Sequence, residues 1–151
     1  MIYWEKQKKI KALYEQYAKP VRIKYDLSPM EYSILLFLYR NPAYDTAASI
    51  VQTSQFTKSH VSSAIKGLEE RKLVTKAYLD NNNKTIHLKL TDRASKILQE
   101  ATAAIDQYID CLFTGFSKEE RQEMARYFDR ICENADAKLR IMEEGKNRCT
   151  N

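Results

Sequence analysis

The run Thr57-Lys58-Ser59-His60-Val61-Ser62-Ser63-Ala64-Ile65-Lys66-Gly67-Leu68-Glu69-Glu70-Arg71 decides how the rest of the chain is read. Thr57 is a residue type that caps helices, and the spacing behind it predicts a helix over Lys58–Arg71. Val61, Ala64, Ile65 and Leu68 recur at helical spacing, so one side belongs to a core. Ser59, Ser63 and Lys66 fall opposite, with His60 and Ser62 at their flanks and Lys58 at the start. A merely solvated helix would more typically show long Glu and Lys there. Small hydroxyls instead let a helix lie close to base edges in a major groove, and lysine reaches guanine acceptors or phosphate. Glu69, Glu70 and Arg71 come only at the far end, where such a helix would leave the groove.

The segments on either side fit a helix-turn-helix with a wing. Upstream, Thr46–Thr53 reads as a short helix, with a turn near Gln55-Phe56. Downstream the period changes to two: Ile86, Leu88 and Leu90 alternate with His87 and Lys89, the mark of a strand with one buried face. Its partner is Val74–Asp80, and Asn81-Asn82-Asn83 supplies residues that tolerate turn conformations. Lys76 and Lys89 lie along this hairpin and Lys84 beside its tip, where a cationic loop can track phosphates or enter a minor groove. His87 is expected to be solvated.

Farther out the chain is helical. Ile10, Leu13, Tyr14, Tyr17 and Val21 give an amphipathic first helix, which Pro20 should kink or end near its last turn. Ser28-Pro29-Met30-Glu31 reads as a capping box opening a buried helix, stopped by Asn41-Pro42. Thr91 is placed to cap a long helix over Asp92–Phe113, with Gly115 as its stop. Ser117 and Glu120 form a second capping box ahead of a last helix striped by Met124, Phe128, Ile131, Ala135, Leu139 and Met142. The expected fold is mainly α with a small β-hairpin wing: a winged helix-turn-helix flanked by long dimerisation helices. Residues 1–151 form a single domain, with a DNA-binding lobe at 28–92 and dimerisation helices at 1–27 and 93–145. The end helices hold more apolar surface than the lobe can cover, which points to a two-fold homodimer.

Composition agrees. The net charge is +5. Residues 54–93 hold eight cations against four anions, or +4, while the remainder holds 17 against 16, or +1. A basic middle segment is the footprint of a protein that meets phosphates at one place. No apolar run is long enough to span a membrane, and the basic start, with no apolar stretch behind it, does not read as a signal peptide. Cys111, Cys132 and Cys149 are odd in number and show no paired spacing, which suits reduced thiols in a cytoplasm rather than a metal site. Cys111 and Cys132 are expected to be buried and inert. Two histidines on different elements, no cluster of metal ligands and no Gly-rich loop leave no catalytic constellation. No enzyme, metal or cofactor is expected.

With these residues in place, the chain resembles the MarR family of regulators. The likeness is carried by Asp45–Val51, by the run from Thr57 through Val74, by Ile86-His87-Leu88-Lys89-Leu90-Thr91-Asp92-Arg93-Ala94, and by Leu27–Glu31. The resemblance implies a homodimeric winged-helix repressor on a pseudo-palindromic double-stranded DNA operator, with Lys58, Ser59, His60, Ser62, Ser63, Lys66, Lys76 and Lys84 as DNA contacts. It also implies release by a small aromatic effector or by cysteine oxidation. The effector pocket would be lined by Tyr14, Tyr17, Met30, Tyr32 and Leu35, although aromatics at helical spacing are also what plain core looks like. Asn82-Asn83-Lys84 replaces the family's acidic-Arg-Arg wing tip. Lys72 and Ala94 stand where glycine is frequent. The alternative is a winged-helix module for protein–protein contact, which would call for an apolar or acidic recognition face.

Overall fold

The computed structural model of the chain describes the backbone of residues 3–148 except 55, 80 and 81, and the side chains of residues 5–143 except 55 and 79–83. The expected turn at Gln55, the tip of the Asn81 turn and Cys149 lie outside them. The elements run α1 (Tyr3–Lys24), α2 (Pro29–Arg40), α3 (Ala47–Thr53), α4 (Lys58–Glu70), β1 (Val74–Leu79), β2 (Asn82–Leu90), α5 (Asp92–Leu112) and α6 (Lys118–Arg148). Their contacts divide into two units, residues 1–112 and 113–151.

Helix starts follow the caps. Ser28 Oγ accepts the Glu31 amide and Glu31 returns a carboxylate to the Ser28 amide, a closed capping box. Thr46 and Ser49 form a second such box at α3, and the Thr57 hydroxyl accepts the His60 amide at α4. Each satisfies backbone donors that the helix itself leaves unpaired. Two expectations are corrected. α1 runs on through Pro20 to Lys24, its last turn held by the buried Ala18 and Val21. Thr91 does not cap α5 with its side chain. Its hydroxyl donates to the Lys72 carbonyl at 2.7 Å, which ties the start of α5 to the end of α4.

The core of the first unit gathers Leu35 and Ile34 of α2, Ile50 of α3, Val61 and Leu68 of α4, Val74 and Leu88 of the hairpin, and Ala94 and Ala101 of α5. α2 packs on α4, α5 and β2, α3 on α4 and β2, and α1 on α5. Leu73 follows α4 into this core. Its amide donates to the Leu68 carbonyl, and the Lys72 amide donates to Glu69. This is the pattern that ends a helix on a left-handed residue. Lys72 is that residue, with φ of 58°.

The strands pair antiparallel, Val74 with Leu90, Lys76 with Leu88 and Tyr78 with Ile86; the register then shifts, setting Leu79 opposite Asn82. Asn82 and Asn83, expected in the turn, are therefore inside β2. Leu88 is buried, but Ile86 is 39% exposed, so the buried face ends one pair short of the tip. In the second unit, Gly115 takes φ of 84° and the Ser117–Glu120 box opens α6. Met124, Phe128, Ile131, Leu139 and Met142 of α6 are exposed. Among the described residues no helix is long and apolar enough to cross a membrane.

Candidate nucleic-acid interface

α4 separates its two faces as its sequence requires. Val61, Ala64, Ile65 and Leu68 are buried, whereas Lys58, Ser59, His60, Ser62, Ser63 and Lys66 are all exposed. A groove of about 680 Å³ runs between this helix and the wing, lined by Ser59, Ser62, Ser63 and Lys66 on one side and by Lys76 and Ile86 on the other. Six of the eight expected contacts thus share one helix. Lys76 joins them from β1 because it sits on the same strand face as its cross-strand partner Leu88. Lys84 is exposed on β2.

The groove's orientation depends on how the end of α4 is held. The Arg71 guanidinium donates to the backbone carbonyls of Tyr25 and Asp26, at the turn between α1 and α2. It also stands 3.9 Å from Glu31 Oε2. Gly67 makes the approach possible: a β-carbon at this position would lie 2.6 Å from Glu31 Oε1. Arg71 is therefore a structural cation, turned toward the protein rather than the groove.

The wing is anchored at its other face. His87, expected to be solvated, is only 16% exposed at its side chain, and its Nδ1 lies 2.8 Å from Asp45 Oδ1. The Leu88 amide donates to the Asp45 carbonyl at 2.7 Å. Asp45, in the loop ahead of α3, thus holds β2 by backbone and side chain together. Sequence spacing carries no signal for this pair, which is 42 positions apart.

The basic character is not confined to the middle of the chain. α1 carries Lys6, Lys8, Lys9, Lys11, Lys19, Arg22 and Lys24 against Glu5 and Glu15. Lys24 Nζ is 2.7 Å from Glu100, whose carboxylate also accepts the Tyr25 hydroxyl. Hydrogen bonds from Lys24 and then Tyr25 hold the Glu100 carboxyl below its ordinary value.

The five residues expected around an effector do not form one lining. Tyr14 borders a cleft of about 440 Å³ with Leu36, Phe37, Arg40, Ile105 and Tyr108. Tyr17 stacks at a tilt 6.2 Å from the Tyr108 ring. Tyr32 and Leu35 are buried in the core. The Tyr32 hydroxyl has no hydrogen-bond partner, and burial first, then the Tyr14 phenol, keep it protonated, pushed up to about 12. Met30 faces a separate depression beside His60 and Ser63. Phe37, Arg40 and Tyr108 are the lining residues that sequence reading missed; they come from two helices brought together only by the fold. Cys111 and Cys132, expected to be buried, are both exposed. Cys111 lies in the last turn of α5, beyond the buried stripe that ends at Ile105.

Comparison with known proteins agrees with this geometry. Residues 25–80 match the model of the MarR family. No curated protein sequence matches the chain. Among solved structures, it is similar to the Staphylococcus aureus MepR–DNA complex, with a TM-score of 0.72 and 22% identity over 89% of this chain and 96% of that one. It is similar also to a MarR-family regulator from Listeria monocytogenes complexed with a 26mer DNA, with a TM-score of 0.77 and 19% identity over 95% of each chain. A third is the organohalide-sensing regulator RdhR in its 2,4-dichlorophenol-bound form, with a TM-score of 0.64 and 16% identity over 87% of this chain and 78% of that one. Over residues 25–80 the chain is a MarR-family segment, and its fold is that of the winged helix-turn-helix regulators of that family.

Proposed function

We propose that this chain is a sequence-specific DNA-binding transcriptional regulator, acting as a homodimeric repressor on a pseudo-palindromic operator. The observation that carries the reading is the split of α4, with a continuous buried stripe on one side and only hydroxyl, imidazole and ammonium groups on the other. In the reading, α4 enters the major groove, Ser59, Ser63 and Lys66 face base edges, and Lys58 meets phosphate. The wing lysines, Lys76 and Lys84, add phosphate contacts outside that groove. The exposed apolar residues of α6 support a second copy as partner, because a surface of this kind marks an interaction site. A pair of copies about a two-fold axis would present two α4 helices to successive major grooves. The cleft at Tyr14, Phe37, Arg40 and Tyr108 has the size and the mixed apolar and cationic lining for a small aromatic effector bearing an acidic group.

The test is Ser63→Asp. The position is exposed, so the substitution leaves packing intact while placing a carboxylate against phosphates and base acceptors. Sequences bound by the wild-type protein are first selected from a random duplex pool. On the selected site the variant is expected to lose binding while circular dichroism and light scattering show a folded dimer. A folded, dimeric variant that binds the site as the wild type does would remove α4 from the groove. A wild type that selects no sequence would leave the alternative, a winged-helix protein–protein module.

A further inference from the structure

Both groove lysines already have anionic partners within the chain. Lys76 Nζ lies 2.6 Å from Glu69 Oε2, and Lys66 Nζ lies 3.9 Å from Glu70 Oε1. The two carboxylates occupy the last turn of α4, the wrong end of a helix for negative charge. Exposed carbonyls give that end a partial negative charge, which favours cations and repels carboxylates. α1 and α2 obey the preference, with Arg22 and Lys24 in one last turn and Arg40 in the other, whereas α4 has no basic residue there. Helix stability therefore does not account for Glu69 and Glu70. Their lysine partners do.

We infer that Glu69 is a brake on DNA affinity, its carboxylate standing on Lys76 as a phosphate would. The inference rests on the DNA-binding reading above and adds to it a regulator of that same groove. A duplex can engage Lys76 only by displacing Glu69, which exchanges one anion for another and releases no counterion from this lysine. On a random sequence Lys76 therefore contributes almost nothing. On a matching site, base contacts from α4 fix a phosphate beside the wing, and the exchange proceeds because the duplex is already held. The effect is to lower non-specific binding more than specific binding, which is the ratio that matters among many competing sites. Glu69 is the residue that carries this, because its pair is the close one and both partners are half-covered, at 39% exposure each. Lys66, 77% exposed and loosely paired, is left available.

The experiment is fluorescence anisotropy of a labelled duplex of mixed sequence, titrated with the full-length protein at about 50–200 mM salt, the range over which phosphate binding is read. Glu69→Gln keeps the shape of the side chain and removes its charge. It should tighten binding about fivefold near 0.1 M salt and steepen the dependence of log K on log salt by about 0.9, the increment for one more neutralised phosphate. In a Lys76→Ala background the same substitution should leave affinity where it was. Thermal melts by circular dichroism establish that each variant folds. If Glu69→Gln leaves wild-type binding unchanged, or tightens it equally without Lys76, the brake is refuted while the DNA-binding reading stands. If neither wild type nor variant binds duplex DNA at low salt, both fall.

Discussion

Lys72 offers a quantitative test of how the recognition helix ends. Its φ of 58° puts a side-chain-bearing residue in the left-handed region, which costs about 1–2 kcal/mol relative to an ordinary conformation. The chain accepts this because the position must turn left. Only then can the Lys72 amide reach the Glu69 carbonyl and the Leu73 amide reach Leu68, while the Leu73 side chain enters the core. Lys72→Gly keeps those bonds and relieves the conformational cost. Glycine gives back about 0.5–1 kcal/mol through the freedom it has in the unfolded chain. The net expectation is a stabilisation of about 0.5–1 kcal/mol, or a rise of roughly 1–4 °C in melting temperature for a chain of this length. The Lys72 side chain is exposed, so no packing is lost. Urea unfolding followed by circular dichroism, at one fixed protein concentration, should show a higher midpoint with an unchanged slope. A Lys72→Val control should fall below wild type, since a β-branched residue tolerates this region least. A lower or unchanged midpoint for Lys72→Gly, with Lys72→Val equal to wild type, would refute the left-handed helix end.

Two further outcomes follow from the same part of the structure. Gly67→Ala should be nearly neutral, because the helix stabilisation of about 1 kcal/mol is offset by displacing Glu31 from its cap, worth about the same. In a Glu31→Ala background the offset disappears and the substitution should stabilise by about 1 kcal/mol in a urea double-mutant cycle. Glu100→Gln should lower stability at neutral pH and cease to matter in acid. The folded carboxyl is held low by Lys24 and Tyr25, so its contribution is present above the unfolded carboxylate value and is lost as pH falls through the folded one. Melting temperatures of both proteins that stay equally separated down to the most acidic folded condition would count against the pairing.

The fold is legible in the sequence because most of its signals are local and periodic. The stripe of Val61, Ala64, Ile65 and Leu68 requires a buried face, and the caps at Ser28, Thr57 and Ser117 lie within three residues of the amides they serve. The alternation over Ile86, Leu88 and Leu90 locates a strand but cannot say where the core beneath it ends, so it predicts a buried Ile86 where the structure exposes one. Thr91 is of a capping type, yet its hydroxyl finds the Lys72 carbonyl, 19 positions away. The same limit hides Asp45 beside His87 and Glu69 beside Lys76. Periodicity tells which side of an element is apolar, but which charge meets which is settled only when distant elements pack. The effector cleft escapes the sequence for this reason too. Tyr14, Tyr17, Met30, Tyr32 and Leu35 come from two neighbouring helices, and no pattern in those helices announces that α5 completes the cleft with Ile105 and Tyr108.

These long-range pairs explain why a helix of only 13 residues can hold a defined face toward a partner. Burial of Val61, Ile65 and Leu68 fixes which side of α4 points inward, but a greasy stripe alone permits rocking about the helix axis. Arg71 removes that freedom at one end, since its planar fork reaches two consecutive carbonyls at the turn between α1 and α2. Gly67 removes it one turn earlier by letting α4 press against Glu31, the residue that caps α2. The wing is fixed independently, through Asp45 and the Leu88 amide, to the loop ahead of α3. The two walls of the groove are therefore each referred to α2 and its flanking loops, and Glu69 with Lys76 bridges them directly. A groove held in this way has a set width before any duplex arrives, so the spacing between α4 and the wing lysines is itself part of what a DNA site must match.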